Sequence, residues 1–148
     1  MTDAEASKDF VMEFGKARVE KQGDHCTIVT FSRMTDLALA AAAEMEKSGV
    51  SVEVINLLSL RPLDMASVVK SIKKTNHIVT VEDGWPLYGV GSEIAAGIME
   101  SDAFDYLDAP VERITGADVP MPYALPLEKA ALPQIDDISA AVRRTLGK

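Results

Sequence analysis

The sequence predicts an α/β protein: three layers, α/β/α, built on a mostly parallel sheet of about five strands with one antiparallel edge strand. Three observations predict it. Residues 27–31, 50–57, 77–81 and 111–115 are short, β-branched and nearly continuously apolar, as strands buried on both faces must be. Helix-forming stretches separate and follow them, so right-handed crossovers join parallel neighbours. At 16–21, Ala17 and Val19 alternate with Lys16, Arg18 and Glu20, which suits a lateral strand whose charges discourage stray pairing.

Residues 1–14 are polar, acidic and aperiodic, and are expected to be a flexible leader or to pack on something outside the chain; residues 15–148 form a single domain. Gln22-Gly23-Asp24 supplies the turn into the first buried strand. Ser32 and Thr35 are N-cap candidates for an alanine-rich helix over 37–45, and Gly49 is placed to take the left-handed conformation that stops it. After the turn Arg61-Pro62-Leu63, Asp64 caps a helix with Met65, Val68, Val69 and Ile72 on one face and Lys70, Lys73 and Lys74 outward. The third buried strand runs into a loop holding the only tryptophan, Trp85. Gly89-Val90-Gly91 then turns into a helix from about Ser92 to Met99, with Ile94, Ala95, Ile98 and Met99 on one face. An acidic loop follows over 101–110, and Pro120, Pro122, Pro126 and Pro133 predict irregular chain from 116 to 133. Ile135, Ile138, Val142 and Leu146 give a closing helix its apolar face.

With 148 residues, 47% hydrophobic and 26% charged, the chain is sized for one domain with a real core. A formal charge of -8 without a basic stripe argues against nucleic acid as a partner. No apolar run approaches a membrane span. A basic protein is the better electrostatic complement. The single cysteine, Cys26, excludes an internal disulfide, suits a reducing compartment and is expected to be a small buried filler.

Residues able to carry chemistry are sparse. His25 and His77 have no neighbouring acid, cysteine or second histidine at ligand spacing, so structural or surface roles are expected. Gly89-Val90-Gly91 lacks the third glycine of a dinucleotide fingerprint, position 94 being Ile, and reads as a tight turn into a helix; a phosphate site there is the alternative. Glu82-Asp83 ends a strand where paired carboxylates could act as acid and base; more often such a pair is solvated or accepts hydrogen bonds from loop amides. Trp85 and Tyr88, with Pro86 between them, are either a partner-binding anchor or packing for their own loop. Asp102, Asp105 and Asp108 bracket Phe104 and Tyr106, in a solvated acidic loop or a dock for a basic module.

From Ser7-Lys8-Asp9-Phe10 onward, the sequence resembles the C-terminal domains of pyruvate dehydrogenase beta subunits, of the transketolase C-terminal domain family. The stretches that carry the resemblance are Gly15-Lys16-Ala17, Val54-Ile55-Asn56-Leu57, Arg61-Pro62-Leu63-Asp64, Lys74-Thr75-Asn76-His77, Val81-Glu82-Asp83-Gly84-Trp85-Pro86, Gly89-Val90-Gly91-Ser92-Glu93-Ile94, Leu107-Asp108-Ala109-Pro110 and the run 115–124 from Thr115-Gly116-Ala117-Asp118 to Tyr123-Ala124. Branched-chain 2-oxoacid dehydrogenase beta subunits have no Trp-Pro in the loop, which favours pyruvate.

The resemblance implies a non-catalytic assembly and docking domain. Thiamine diphosphate and magnesium would be held in the full enzyme, between the alpha subunit and an N-terminal beta domain, with none bound by this chain. Implied partners are the alpha subunit, a second beta subunit and the basic subunit-binding domain of the acyltransferase core of a multienzyme complex. Asp105, Asp108 and the chain end at Lys148 would meet that last domain, and Trp85 and Tyr88 the other subunits. The implied compartment is the mitochondrial matrix, or the cytoplasm of a bacterium. Met1-Thr2 reads as a start placed inside a longer subunit. A stand-alone flavodoxin-like nucleotide-binding domain is the alternative from another class.

Overall fold

A computed structural model describes residues 11–147. Ten regular elements run in the order β1 (Ala17–Lys21), β2 (Cys26–Thr30), α1 (Met34–Lys47), β3 (Val52–Leu57), α2 (Met65–Thr75), β4 (Ile78–Val81), α3 (Val90–Met99), β5 (Glu112–Ile114), α4 (Leu125–Ala131) and α5 (Ile135–Thr145), with a 3₁₀ turn at Asp102–Tyr106. The sheet order is β1-β3-β2-β4-β5. Only β1 is antiparallel, pairing with β3 in the register Ala17↔Leu57. The sheet is therefore the mixed five-stranded one expected, with its antiparallel strand at one side.

Strand alternation divides the core into two faces. Cys26, Ile28, Val52, Val54, Val79 and Val81 point toward α1 and α5, meeting Ala38, Ala41, Met45, Ile138 and Val142. Their neighbours Val29, Ile55, Leu57 and Ile78 point the other way, onto Val68 and Ile72 of α2 and Ile94 and Ile98 of α3. Alanines on α1 let that helix approach the strands closely, which is why so small a residue dominates it. Beneath α2 the second face carries a polar band: the buried Glu53 carboxylate accepts from Ser71 Oγ at 2.5 Å and from Lys74, and Thr27 Oγ1 links Ser71 and Thr75 at 2.6 and 2.7 Å. Lys74 thus folds back instead of pointing outward, because a buried carboxylate must be paired.

The caps follow the sequence in part. Asp64 accepts from the Ser67 N–H at 3.1 Å and from the Ala17 N–H at 2.9 Å, tying β1 to α2. Burial works to raise its pKa, but the hydrogen bonds from Ala17 and Ser67 and the Lys16 charge bring it below the usual aspartate value. Gly49 stops α1 with φ +77°. Neither Ser32 nor Thr35 caps α1: Arg33 holds the cap position without a side-chain bond, and Ser32 is itself left-handed at φ 53°. The region 116–133 is not wholly irregular, since α4 forms within it with Pro126 in its first turn, where a missing N–H costs nothing. β5 is shorter and less buried than a core strand because it lies at the side of the sheet.

At the opposite side, β1 is interrupted by a register shift between Val19 and Lys21 and carries Arg18 and Glu20, paired at 2.7 Å. The leader's first ten residues and Lys148 lie outside the described residues; 11–14 are exposed and precede β1 without regular structure.

Candidate functional site

The crossover after β2 leaves by one face and that after β4 by the other, so the strand ends of β2 and β4 form the topological switch point. Arg33 and Asp83 bridge their loops at 3.6 Å. The site is built outward from Glu82, the residue just past β4.

Glu82 is 4% exposed. Its two carboxylate oxygens accept from the Val90 N–H at 3.0 Å and the Gly91 N–H at 2.9 Å, filling the amino end of α3 with the chain's own anion. This explains why α3 starts at Val90, two residues before the expected Ser92. It also explains both glycines. A Cβ on Gly89 would sit 2.5 Å from Glu82 Oε1, and one on Gly91 would sit 2.6 Å from Thr80 Oγ1. The place a phosphate would take in a Gly-Val-Gly turn is occupied by a carboxylate, and Glu82 takes the amide-accepting role, one of those foreseen for it.

Further bonds hold the loop 83–89. The Arg113 guanidinium donates to the Pro86 carbonyl, as does Ser92 Oγ at 3.2 Å. The Trp85 indole N–H donates to the Val119 carbonyl at 3.1 Å, and the Gly116 N–H to the Gly84 carbonyl at 2.8 Å. Despite these anchors Trp85 remains 56% exposed and Tyr88 100% exposed, the latter at a left-handed φ of 57°. None of the described residues covers that ring, so core packing among them does not account for Tyr88. Leu87, Met121 and Tyr123 are exposed on the same loops, and Leu60 on the loop after β3. The carboxyl end of the sheet is therefore a braced, largely apolar surface.

Asp105 and Asp108 stand at the other end. α3 runs back across the sheet and delivers the 3₁₀ turn to the amino end of β4, where the Asp108 N–H donates to the Asn76 carbonyl at 3.0 Å and Asn76 Nδ2 to the Tyr106 carbonyl at 2.7 Å. Lys73 holds Asp102 at 2.5 Å, a contact that raises the lysine's pKa, and its ammonium lies 5.4 Å from the Tyr106 ring centre. α5 ends at the same place, with Thr145 Oγ1 3.4 Å from His77 Nδ1. Asp105 and Asp108 thus lie at the same end of the sheet as the end of the last helix, on the face of α2 and α3 while α5 packs on the other, and away from Trp85 and Tyr88. Lys148 lies outside the described residues.

The remaining candidates are structural. His25 Nδ1 accepts from the Ser51 N–H at 2.9 Å. Burial pushes the Cys26 thiol up to about 12, so it stays protonated as an inert filler. Among the described residues no group of three or more His, Cys, Asp or Glu side chains could hold a metal ion. The sequence reading missed Arg113, whose only signal was a charge inside a strand pattern, and the exposure of Met99 and Phe104.

The comparisons agree with this architecture. Residues 15–138 match the model of the transketolase C-terminal domain family. The chain is 56% identical to the mitochondrial pyruvate dehydrogenase E1 component subunit beta of Caenorhabditis elegans over 97% of its own length and 41% of that protein's. It is 55% identical to the Homo sapiens counterpart over 95% of its length and 39% of that protein's. It also superposes on a split-gene transketolase, described as an inactive beta4 tetramer, with TM-score 0.81 and 31% identity, covering 95% of this chain and 44% of that one. The chain thus spans about two-fifths of the length of these relatives, and its resemblance to the C-terminal domains of pyruvate dehydrogenase beta subunits stands. The chain belongs to the transketolase C-terminal domain family.

Proposed function

We propose that this chain is the assembly and docking domain of a pyruvate dehydrogenase beta subunit, working in the mitochondrial matrix. The parent enzyme oxidatively decarboxylates pyruvate and passes the acetyl group to lipoyl groups of the acyltransferase core. One observation carries the reading: identity of 55–56% to named beta subunits across nearly the whole chain. In this reading the carboxyl end, with Trp85 and Tyr88, meets the alpha subunit and the second beta subunit. The amino end, with Asp105, Asp108 and the chain end at Lys148, receives the basic subunit-binding domain.

In this reading thiamine diphosphate is held elsewhere in the parent enzyme, and two features of the described residues support that. The glycine turn that starts α3 is filled by Glu82, and among the described residues no cluster of three or more carboxylate, histidine or cysteine side chains would hold its magnesium. The domain's part in the reaction is accordingly to position other subunits. A stand-alone nucleotide-binding domain would require a phosphate to displace Glu82 from two amide bonds, and no observation favours it.

The test is a calorimetric titration of the chain with the basic subunit-binding domain of an acyltransferase at low ionic strength. Asp105→Asn and Asp108→Asn together should weaken binding roughly tenfold, with the difference shrinking as salt rises. Unchanged affinity removes the acidic dock, and micromolar binding of thiamine diphosphate to the isolated chain overturns the non-catalytic reading.

A further inference from the structure

The first turn of α3 roofs a polar cluster that the loop bonds leave incomplete. Thr80 and Arg113 are in-register partners on β4 and β5. Both side chains point to the α3 side of the sheet: Thr80 Oγ1 lies where a Cβ on Gly91 would come within 2.6 Å, and the Arg113 guanidinium reaches the Pro86 carbonyl shortly before that helix. Glu82, two residues past Thr80, faces the same way. Each of the three is short of a partner among the described residues. The Thr80 hydroxyl is buried without a hydrogen bond, the Arg113 Nε–H likewise, and the buried Glu82 carboxylate has its two amides but no ion pair.

An acceptor without a donor, on the strand next to a donor without an acceptor, is a costly arrangement. Water does not resolve it, because Thr80 Oγ1 and Arg113 Nε are both sealed from solvent, which leaves no room for a bridging molecule. A movement of the arginine does.

We propose that Arg113 is a two-position latch on the loop 83–89. In the position seen, Nη2 holds the Pro86 carbonyl and Nε is unsatisfied. In the other, the guanidinium swings back toward β4, where Nε–H donates to Thr80 Oγ1 and the charge comes against the Glu82 carboxylate. That second position leaves none of these groups unpaired. The Pro86 carbonyl keeps Ser92 Oγ at 3.2 Å, and Glu82 keeps the Val90 and Gly91 amides. Drawing the charge inward costs desolvation, which offsets the bonds gained and keeps the two positions comparable. Only the later half of the loop is released, because the Trp85 indole stays on the Val119 carbonyl and the Gly84 carbonyl on the Gly116 N–H. The latch moves Leu87 and the fully exposed Tyr88 while Trp85 stays fixed, so this apolar surface adjusts to whatever chain meets it.

The test is nuclear magnetic resonance of the whole chain. Wild type should show microsecond-to-millisecond exchange at the Leu87 and Tyr88 amides and at the Arg113 Nε–H, and none at Gly84 or Trp85. Thr80→Val keeps the shape and removes the acceptor. It should abolish that exchange without lowering the melting temperature, since the hydroxyl is unbonded in the position seen, whereas Thr80→Ser should retain the exchange. Arg113→Met should drop the order parameters of Leu87 and Tyr88 from about 0.85 to below about 0.6 while Trp85 keeps its own. No exchange in the wild type overturns the latch, as does exchange that survives Thr80→Val. A lower melting temperature for Thr80→Val, with the Arg113 Nε–H already protected in the wild type, means one position only and overturns it equally. Loosening of Trp85 along with Tyr88 in Arg113→Met overturns the division of the loop. None of these readouts involves a partner, so they stand or fall apart from the assembly reading.

Discussion

Removing the Glu82 carboxylate should loosen the loop that carries Trp85 and cost the domain a measurable part of its stability. Two amide donors at 3.0 and 2.9 Å lose a charged acceptor. Hydrogen bonds to charged groups contribute about 1.5–3 kcal/mol each, so the pair contributes about 3–6 kcal/mol gross. The desolvation of a carboxylate that is 4% exposed offsets part of this, leaving about 2–4 kcal/mol for Glu82→Ala. Glu82→Gln should cost somewhat less, because its oxygen satisfies one N–H while its amino group opposes the other. Urea unfolding is followed by Trp85 fluorescence and by circular dichroism, and the native-state anisotropy of Trp85 reports the loop separately. A second variant makes the reasoning specific. Gly89 has an extended backbone, φ -73° and ψ 166°, so Gly89→Ala is costly only because its Cβ would meet Glu82 Oε1 at 2.5 Å. In the Glu82→Ala background that clash is gone, and the two changes should couple by about 1 kcal/mol or more. A cost below about 0.5 kcal/mol for Glu82→Ala, or strict additivity with Gly89→Ala, refutes the carboxylate as the keystone of the loop.

Two further outcomes are expected. Asp64 has a folded-state pKa lowered beneath its unfolded value, so the stability it contributes is present above about pH 4 and is lost as pH falls through the folded pKa. Asn caps a helix as well as Asp, but its one oxygen cannot accept from Ala17 and Ser67 as the two carboxylate oxygens do, so Asp64→Asn should cost about 1–2 kcal/mol near neutrality, and urea midpoints of the two proteins should converge in acid; a gap independent of pH contradicts this. Ser139 in α5 is buried, with no hydrogen-bond partner for its hydroxyl among the described residues. Ser139→Ala should raise stability by about 0.5–1 kcal/mol, seen as a higher melting temperature, and a lower one would show that the hydroxyl is bonded in solution.

The sheet was legible because buried parallel strands leave a local signature, and 27–31, 50–57 and 77–81 all carry it. Where the sequence misled, long-range contacts decided. Ser92 looked like a helix start until Glu82, ten residues earlier, supplied the cap. Lys74 looked solvated until Glu53, 21 residues away, proved to be buried against it. Pro126 read as a breaker because its place in the first turn of α4 depends on where that helix begins. The acidic turn was visible as composition, but the exposed apolar side chains beside it were not. Met99 belongs to the predicted apolar stripe of α3, and only the depth of the sheet shows that the stripe continues past the core into solvent.

The lateral strands of the sheet bear on how this domain can associate. β1 is broken by its register shift and guarded by Arg18 and Glu20, and β5 is three residues long. Neither offers a straight run of free backbone groups onto which another chain could add a strand. Extension of the sheet by strand addition is disfavoured from both sides, so another chain would meet this one through side chains of its helices and loops instead of through backbone pairing.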